Sequence, residues 1–249
     1  MKRFAIILLI ALMPLCAFSQ IGEHRNQWTV GVNGGVNLNS VSFLPKVTQD
    51  MYTGMTGGLT IRYTCEKYFL TICSIQAELN YSQLGWKESI LDINDNPVLN
   101  SDENSPGFGK PQSYERTINY VQLPVFAHLA WGKESQGCNF FFNIGPQVGF
   151  KVSETSKSNL MYKENGSIST AGRASGVVAQ DTMAVENDFD YGIAAGLGVE
   201  LHVKHVGRFQ LEGRYYYGLG NLYGDSKRDY FASSNHGTIS IRAAYMLDL

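Results

Sequence analysis

The chain has 249 residues, 17% of them charged, with a formal net charge of -2; it is 44% hydrophobic and carries 26 Gly and 7 Pro. This balance excludes a disordered acidic tail, a basic nucleic-acid binder and a collagen-like polymer. The one long apolar run, residues 4–15, is shorter than the ~20 residues a membrane-crossing helix needs, so what remains is a globular fold or a β-barrel, in which only alternate residues meet lipid.

The first segment reads as an export signal. Lys2 and Arg3 precede the apolar run, and Ala17-Phe18-Ser19 forms a small-x-small cleavage site. Residues 1–19 are therefore expected to be removed, leaving residues 20–249 as one barrel domain. Pro14 and Leu15 stand where a lipoprotein signal before Cys16 would need small residues.

Hydrophobic alternation with period two dominates from there on. In residues 27–39, Trp28, Val30, Val32, Val36 and Leu38 share one face and Thr29, Gly31, Asn33, Gly35, Asn37 and Asn39 the other. Segments 52–64, 70–87, 116–131, 139–153 and 188–204 follow the same rule less cleanly. Segment 116–131 fits worst, because Tyr120 and Phe126 fall on the face of Gln122 and His128. Segment 208–219 sets Phe209, Leu211, Tyr215, Tyr217 and Leu219 against Arg208, Gln210, Glu212, Arg214 and Tyr216, and segment 238–249 repeats the pattern. These are about eight strands, most of them longer than the ~5–6 residues usual in soluble sheets. Tight connections at 65–69, 132–138 and 205–207 alternate with long ones, above all 88–115 and 154–187. That rhythm predicts an all-β, closed up-and-down antiparallel transmembrane barrel with long extracellular loops and short periplasmic turns.

Charge then assigns the faces. Arg62, Glu78, Glu200, Glu212, Arg214 and Arg242 lie mid-strand on the polar face, and an arginine facing lipid at mid-depth costs ~2–4 kcal/mol. They are expected to form a lumen network that plugs the barrel. Trp28, Tyr63, Trp86, Trp131 and Tyr217 are expected as aromatics at the two membrane interfaces.

A disulfide between Cys65 and Cys73 and three buried free thiols (with Cys138) are equally compatible with the spacing. His202 and His205 have a helical metal spacing but point to opposite faces on a strand. His236 with Ser233, Ser234, Asp225 and Asp229 is read as a polar outer loop, the alternative being a rim-sited, lipid-modifying Ser-His-Asp enzyme. Asp92, Asp95, Asp102 and Glu103 are read as a solvated loop face. The Gly-rich runs have no following helix to make a phosphate site. No catalytic residue, metal or cofactor is expected.

Four segments carry a family resemblance: Gln76–Gly85 (QAELNYSQLG), Tyr120–Val125 (YVQLPV), Gly145–Gly149 (GPQVG) and Arg214–Leu222 (RYYYGLGNL). Together they resemble the PorT-like outer-membrane β-barrel family of Bacteroidota, although Ala77 stands where that strand often has Pro and Leu249 where many barrels end in an aromatic. The resemblance implies an eight-stranded barrel integral to the Gram-negative outer membrane; the family's founding member is linked to envelope secretion. The expected protein is a porin-like but plugged monomer in outer-membrane lipid, without nucleic acid, acting through loops 88–115 and 154–187 on an envelope or secretion-machinery protein or a surface ligand. The alternative is a soluble, lipocalin-like exported barrel holding a small apolar ligand.

Overall fold

The computed structural model describes residues 23–101, 107–133, 136–160, 170–224 and 230–249. The export signal and its cleavage site lie outside them. Within them run β1 (Glu23–Leu44), β2 (Gln49–Asp50), β3 (Tyr52–Tyr68), β4 (Thr71–Glu88), β5 (Tyr114–Gly132), β6 (Gly137–Ser158), the one-turn helix α1 (Ala179–Thr182), β7 (Phe189–Val203), β8 (Gly207–Asn221) and β9 (Ser233–Asp248).

Every neighbouring pair is antiparallel. β1 joins β3 on one side and β9 on the other, and the β4–β5 pairing closes the sheet into a ring of eight strands. β2 adds two residues to the outer end of β4. Closure matters energetically because it leaves no open edge at membrane depth, where an unpaired backbone group finds no water. β3–β4 and β7–β8 are joined by short turns, and the other end of the ring carries the long connections, as the gap pattern predicts.

Side-chain alternation sorts the two faces. Along β8, Phe209, Leu211, Tyr215, Tyr217 and Leu219 are exposed, while Arg208, Gln210, Glu212, Arg214 and Tyr216 are buried. Leu211 is 55% exposed and Glu212 5%, an inversion of the soluble-protein rule that makes sense only if the outer surface meets hydrocarbon. This overturns the lipocalin-like alternative, which needs an apolar interior and a charged exterior. The outward band of β6 runs from Phe140 to Phe150. Ten steps of ~3.3 Å at a tilt of ~40° span about 25 Å, the height of an outer-membrane apolar belt. Trp28 tilts against Tyr63 at one rim, and at the other Phe189 stacks on Tyr191 and tilts against Phe150.

The strands run further than alternation alone predicts. β1 continues to Leu44 rather than 39, β6 to Ser158 rather than 153, and β9 starts at Ser233 rather than 238. These extensions lie beyond the apolar band at the loop end, where the inward face turns apolar. Val41, Phe43, Leu84, Trp86, Ile118, Tyr120, Leu222, Tyr223 and Phe231 form one buried cluster across the mouth.

Candidate functional site: the packed lumen and the strap over its mouth

Arg62, Glu78, Glu200, Glu212, Arg214 and Arg242 all point inward and are buried, and the barrel brings them together as two clusters. In the first, Glu200 accepts hydrogen bonds from Arg62 (2.7 Å), Arg208 (3.1 Å) and Gln210 (2.7 Å). Arg208 also donates to Asp248 at 2.7 Å. In the second, Glu78 accepts from both terminal nitrogens of Arg214 (2.9 and 2.8 Å), from Arg242 (2.8 Å), and from Gln76 and Asn80 at 2.9 Å each. Glu212 takes the other side of Arg214 at 3.0 and 2.8 Å and Asn143 at 3.2 Å. Arg242 reaches Asn33, and the Arg214 guanidinium lies 4.4 Å from the centre of the Phe126 ring.

Each cluster sets two arginines against two carboxylates. Buried charge is tolerated only when paired and hydrogen-bonded on all sides, and the amides of Gln76, Asn80, Asn143 and Gln210 supply the remaining donors. Gln76, Asn80, Arg208 and Gln210 share the parity of the expected residues on their own strands, so alternation places them inward too, whereas Asn143 stands on β6, which holds none of the six. Glycine makes room: a Cβ at Gly196 would collide with the Glu212 carboxylate. His128 is a satisfied interior residue, its Nδ1 2.7 Å from Asn143 Oδ1. Between the charged clusters and the apolar mouth lies a hydroxyl and amide layer, including Thr56–Ser82, Thr238–Asn39, Ser240–Asn37 and Tyr216–Asp190. The cavity there is about 20 Å3, lined by Asn37, Gln122, Gln147 and Arg214 among others, which is space for a single water.

Segment 170–188 crosses the mouth as a strap. Arg116 of β5 holds it by donating to the Met183 carbonyl at 2.5 Å, and it also reaches Tyr114 (2.7 Å), Glu154 (2.9 Å) and Tyr223 (3.3 Å) and lies 5.3 Å from the Trp86 ring centre. Tyr114 donates to the Gln180 carbonyl, Lys151 to the Val185 carbonyl, and Arg173 Nε to Gln112. Under the strap, Glu88 of β4 and Asp181 of α1 are both buried.

Several expectations change. Trp86 is not an interface aromatic: it is fully buried inside the mouth beside Phe43, because it shares the inward parity of Glu78, Asn80, Ser82 and Leu84. Trp28, Tyr63, Trp131 and Tyr217 do face outward. Cys65, Cys73 and Cys138 are free thiols, partly or fully exposed rather than buried. Cys65 is the extra residue of a bulge, as Thr64 pairs with Ser74 and Glu66 with Cys73, and its Sγ turns to the Tyr63 carbonyl. His236 is not in a loop. It sits in β9, inward and buried, with neither ring nitrogen hydrogen-bonded. Ser233 bonds Asn235, and Ser234 accepts the Leu222 and Tyr223 amides, so no Ser-His pair is assembled. Asp225, Asp229, Asp102 and Glu103 lie outside the described residues. His202 points inward and faces Asp248 at 3.3 Å, while His205 occupies the β7–β8 turn.

Comparison with known proteins follows the same line. The family model for the outer membrane protein beta-barrel domain matches residues 18–224. No curated protein matches the sequence. Among solved structures, Ail of Yersinia pestis in complex with sucrose octasulfate is 11% identical with a TM-score of 0.36, covering 89% of this chain and 99% of its own. Neisserial surface protein A is 11% identical with a TM-score of 0.39 (88% and 96%), and OprG of Pseudomonas aeruginosa is 11% identical with a TM-score of 0.38 (91% and 98%). Likenesses this loose carry no argument about function.

Proposed function

The chain belongs to the outer membrane protein beta-barrel domain family, and on that premise we propose that it is a closed, non-enzymatic barrel that does not conduct and that works through the loops capping its outer mouth. The observation that supports this most is the filled cross-section. Two charge-neutral clusters, a hydroxyl layer, an apolar layer and the strap succeed one another along the axis. Pores that pass solutes need a continuous watery lumen, and an eight-stranded ring is just wide enough for side chains to fill. What the scaffold leaves free is the outer surface of connections 88–115 and 154–187, held at fixed ends and open in sequence. We place a protein of the envelope or a surface ligand there, with the secretion machinery as one such partner; an exported, PorT-like member of the Bacteroidota and a single copy in the membrane are parts of the same reading.

Reconstitution into a planar bilayer tests the closed lumen. Wild-type protein should insert without steady current at either polarity, and a steady, ohmic pore would refute the proposal. The partner side is tested by cross-linking from exposed positions in the two loops in intact cells. Recovery of lipid alone from both loops would refute it.

A further inference from the structure

Charge is balanced in each lumen cluster but not beneath the strap. Glu88 and Asp181 are both buried there and adjoin one another across the gap between β4 and α1. The cation bonded there among the described residues is Arg173, whose Nη1 is 3.5 Å from Asp181 Oδ2. Glu88 Oε1 and Asp181 Oδ1 are both buried without a hydrogen-bond donor. Arg116 also acts on Asp181 through its charge, but its hydrogen bonds go to Met183, Tyr114, Tyr223 and Glu154. Asp95 lines the adjoining cavity from the β4–β5 connection. Gln180 is neutral, and its amide nitrogen serves both the Val177 carbonyl and Glu88 without adding charge. Tyr114, Tyr223 and Glu154 are the groups that Arg116 already serves. Two buried carboxylates in contact, with one arginine bonded to Asp181 and none bonded to Glu88 among the described residues, do not both ionise; a proton held by one supplies the missing O–H donor to the other.

We propose that Glu88 and Asp181 share one proton that latches the strap over the barrel mouth, and that the strap loosens when this proton is lost. The latch rests on where the strap lies, not on whether the loops have a partner, so it can fail while the functional proposal stands. Burial, and then the neighbouring Asp181, push the Glu88 carboxyl up to about 9, and burial raises Asp181. A folded-state value raised above the ordinary carboxyl range gives stability that is complete in acid and is lost as pH rises through about 9. The strap is therefore closed at neutral pH and opens in alkali. Burial also raises the phenols of Tyr114 and Tyr223, so they stay neutral through that window. A cavity of about 110 Å3, lined by Glu88, Asp95 and Arg173, borders Glu88 and gives water a place beside its ionised carboxylate.

Trp86 reports the strap's position, because it is buried directly beneath it. In full-length protein in lipid vesicles, with Trp28 and Trp131 changed to Phe, acrylamide quenching of Trp86 should rise severalfold between about pH 7 and about pH 10 with a midpoint near 9. Glu88→Gln, which keeps a hydrogen-bonding side chain and removes the titration, should stay quench-resistant throughout, and Asp181→Asn should behave alike. A wild-type profile flat over that range would overturn the latch, as would either variant rising with the wild-type midpoint. If neither amide variant folds, an Arg173→Gln variant whose midpoint stays at the wild-type value or falls below it also overturns the latch, since losing that cation should move the midpoint higher.

Discussion

At the scale of single residues, Glu78 is the hub of the lumen. It accepts five hydrogen bonds and is the only carboxylate shared by Arg214 and Arg242 among the described residues. Glu78→Ala leaves two buried guanidiniums short of their counter-charge and should cost about 3–5 kcal/mol. Glu212→Ala is milder, about 1–3 kcal/mol, because Arg214 keeps both bonds to Glu78 while its Nε and the Asn143 amide lose their acceptor. Urea unfolding in detergent micelles should show that order. Equal losses would mean that the second cluster is not centred on Glu78. All six charged positions can be read from the sequence because burying an unpaired charge in hydrocarbon is the largest local penalty available. The amides that complete the network carry no such penalty, so alternation places them on the inward face without marking them as members of the network.

Among the elements, the strap depends on Arg116. Its guanidinium joins β5 to the Met183 carbonyl, to Glu154 of β6 and to Tyr223. Arg116→Ala should leave the barrel folded but free segment 170–188. Limited proteolysis of the refolded protein should then cut that segment severalfold faster than in wild type, with the rest of the ring resistant. An unchanged cutting rate would mean that packing of Val177, Ala179 and Met183 on the apolar cluster holds the strap by itself. This element is where sequence reading runs out. Trp86 looks like an interface aromatic when its side chain is considered alone, yet its parity with Glu78 sends it inside. The inward face can afford apolar residues at Leu84, Trp86, Ile118 and Phe43 only because a segment distant in sequence folds over them. Alternation stops signalling a strand once both faces are apolar or both polar, which is why the ends of β1, β6 and β9 extend past their expected limits. The stretch around His236 is polar on both faces and carries no strand signal for the same reason.

At the scale of the whole molecule, two solvents order the chain. Hydrocarbon selects Val, Leu, Ile and aromatics on the outer parity, and the narrow lumen selects paired charges, amides and glycines on the inner one. Ring closure between β4 and β5 follows, since an even number of antiparallel strands leaves no edge and sets both ends of the described barrel, Glu23 and Leu249, on the side of the short turns. The most direct test places nitroxide labels one at a time at positions 209 to 217 of β8, in a cysteine-free background reconstituted into bilayers. Labels at 209, 211, 213, 215 and 217 should be relaxed strongly by oxygen dissolved in the lipid, while those at 210, 212, 214 and 216 should be immobilised and shielded from both oxygen and water-soluble nickel. Uniform accessibility along the strand, or the opposite parity, would contradict the account.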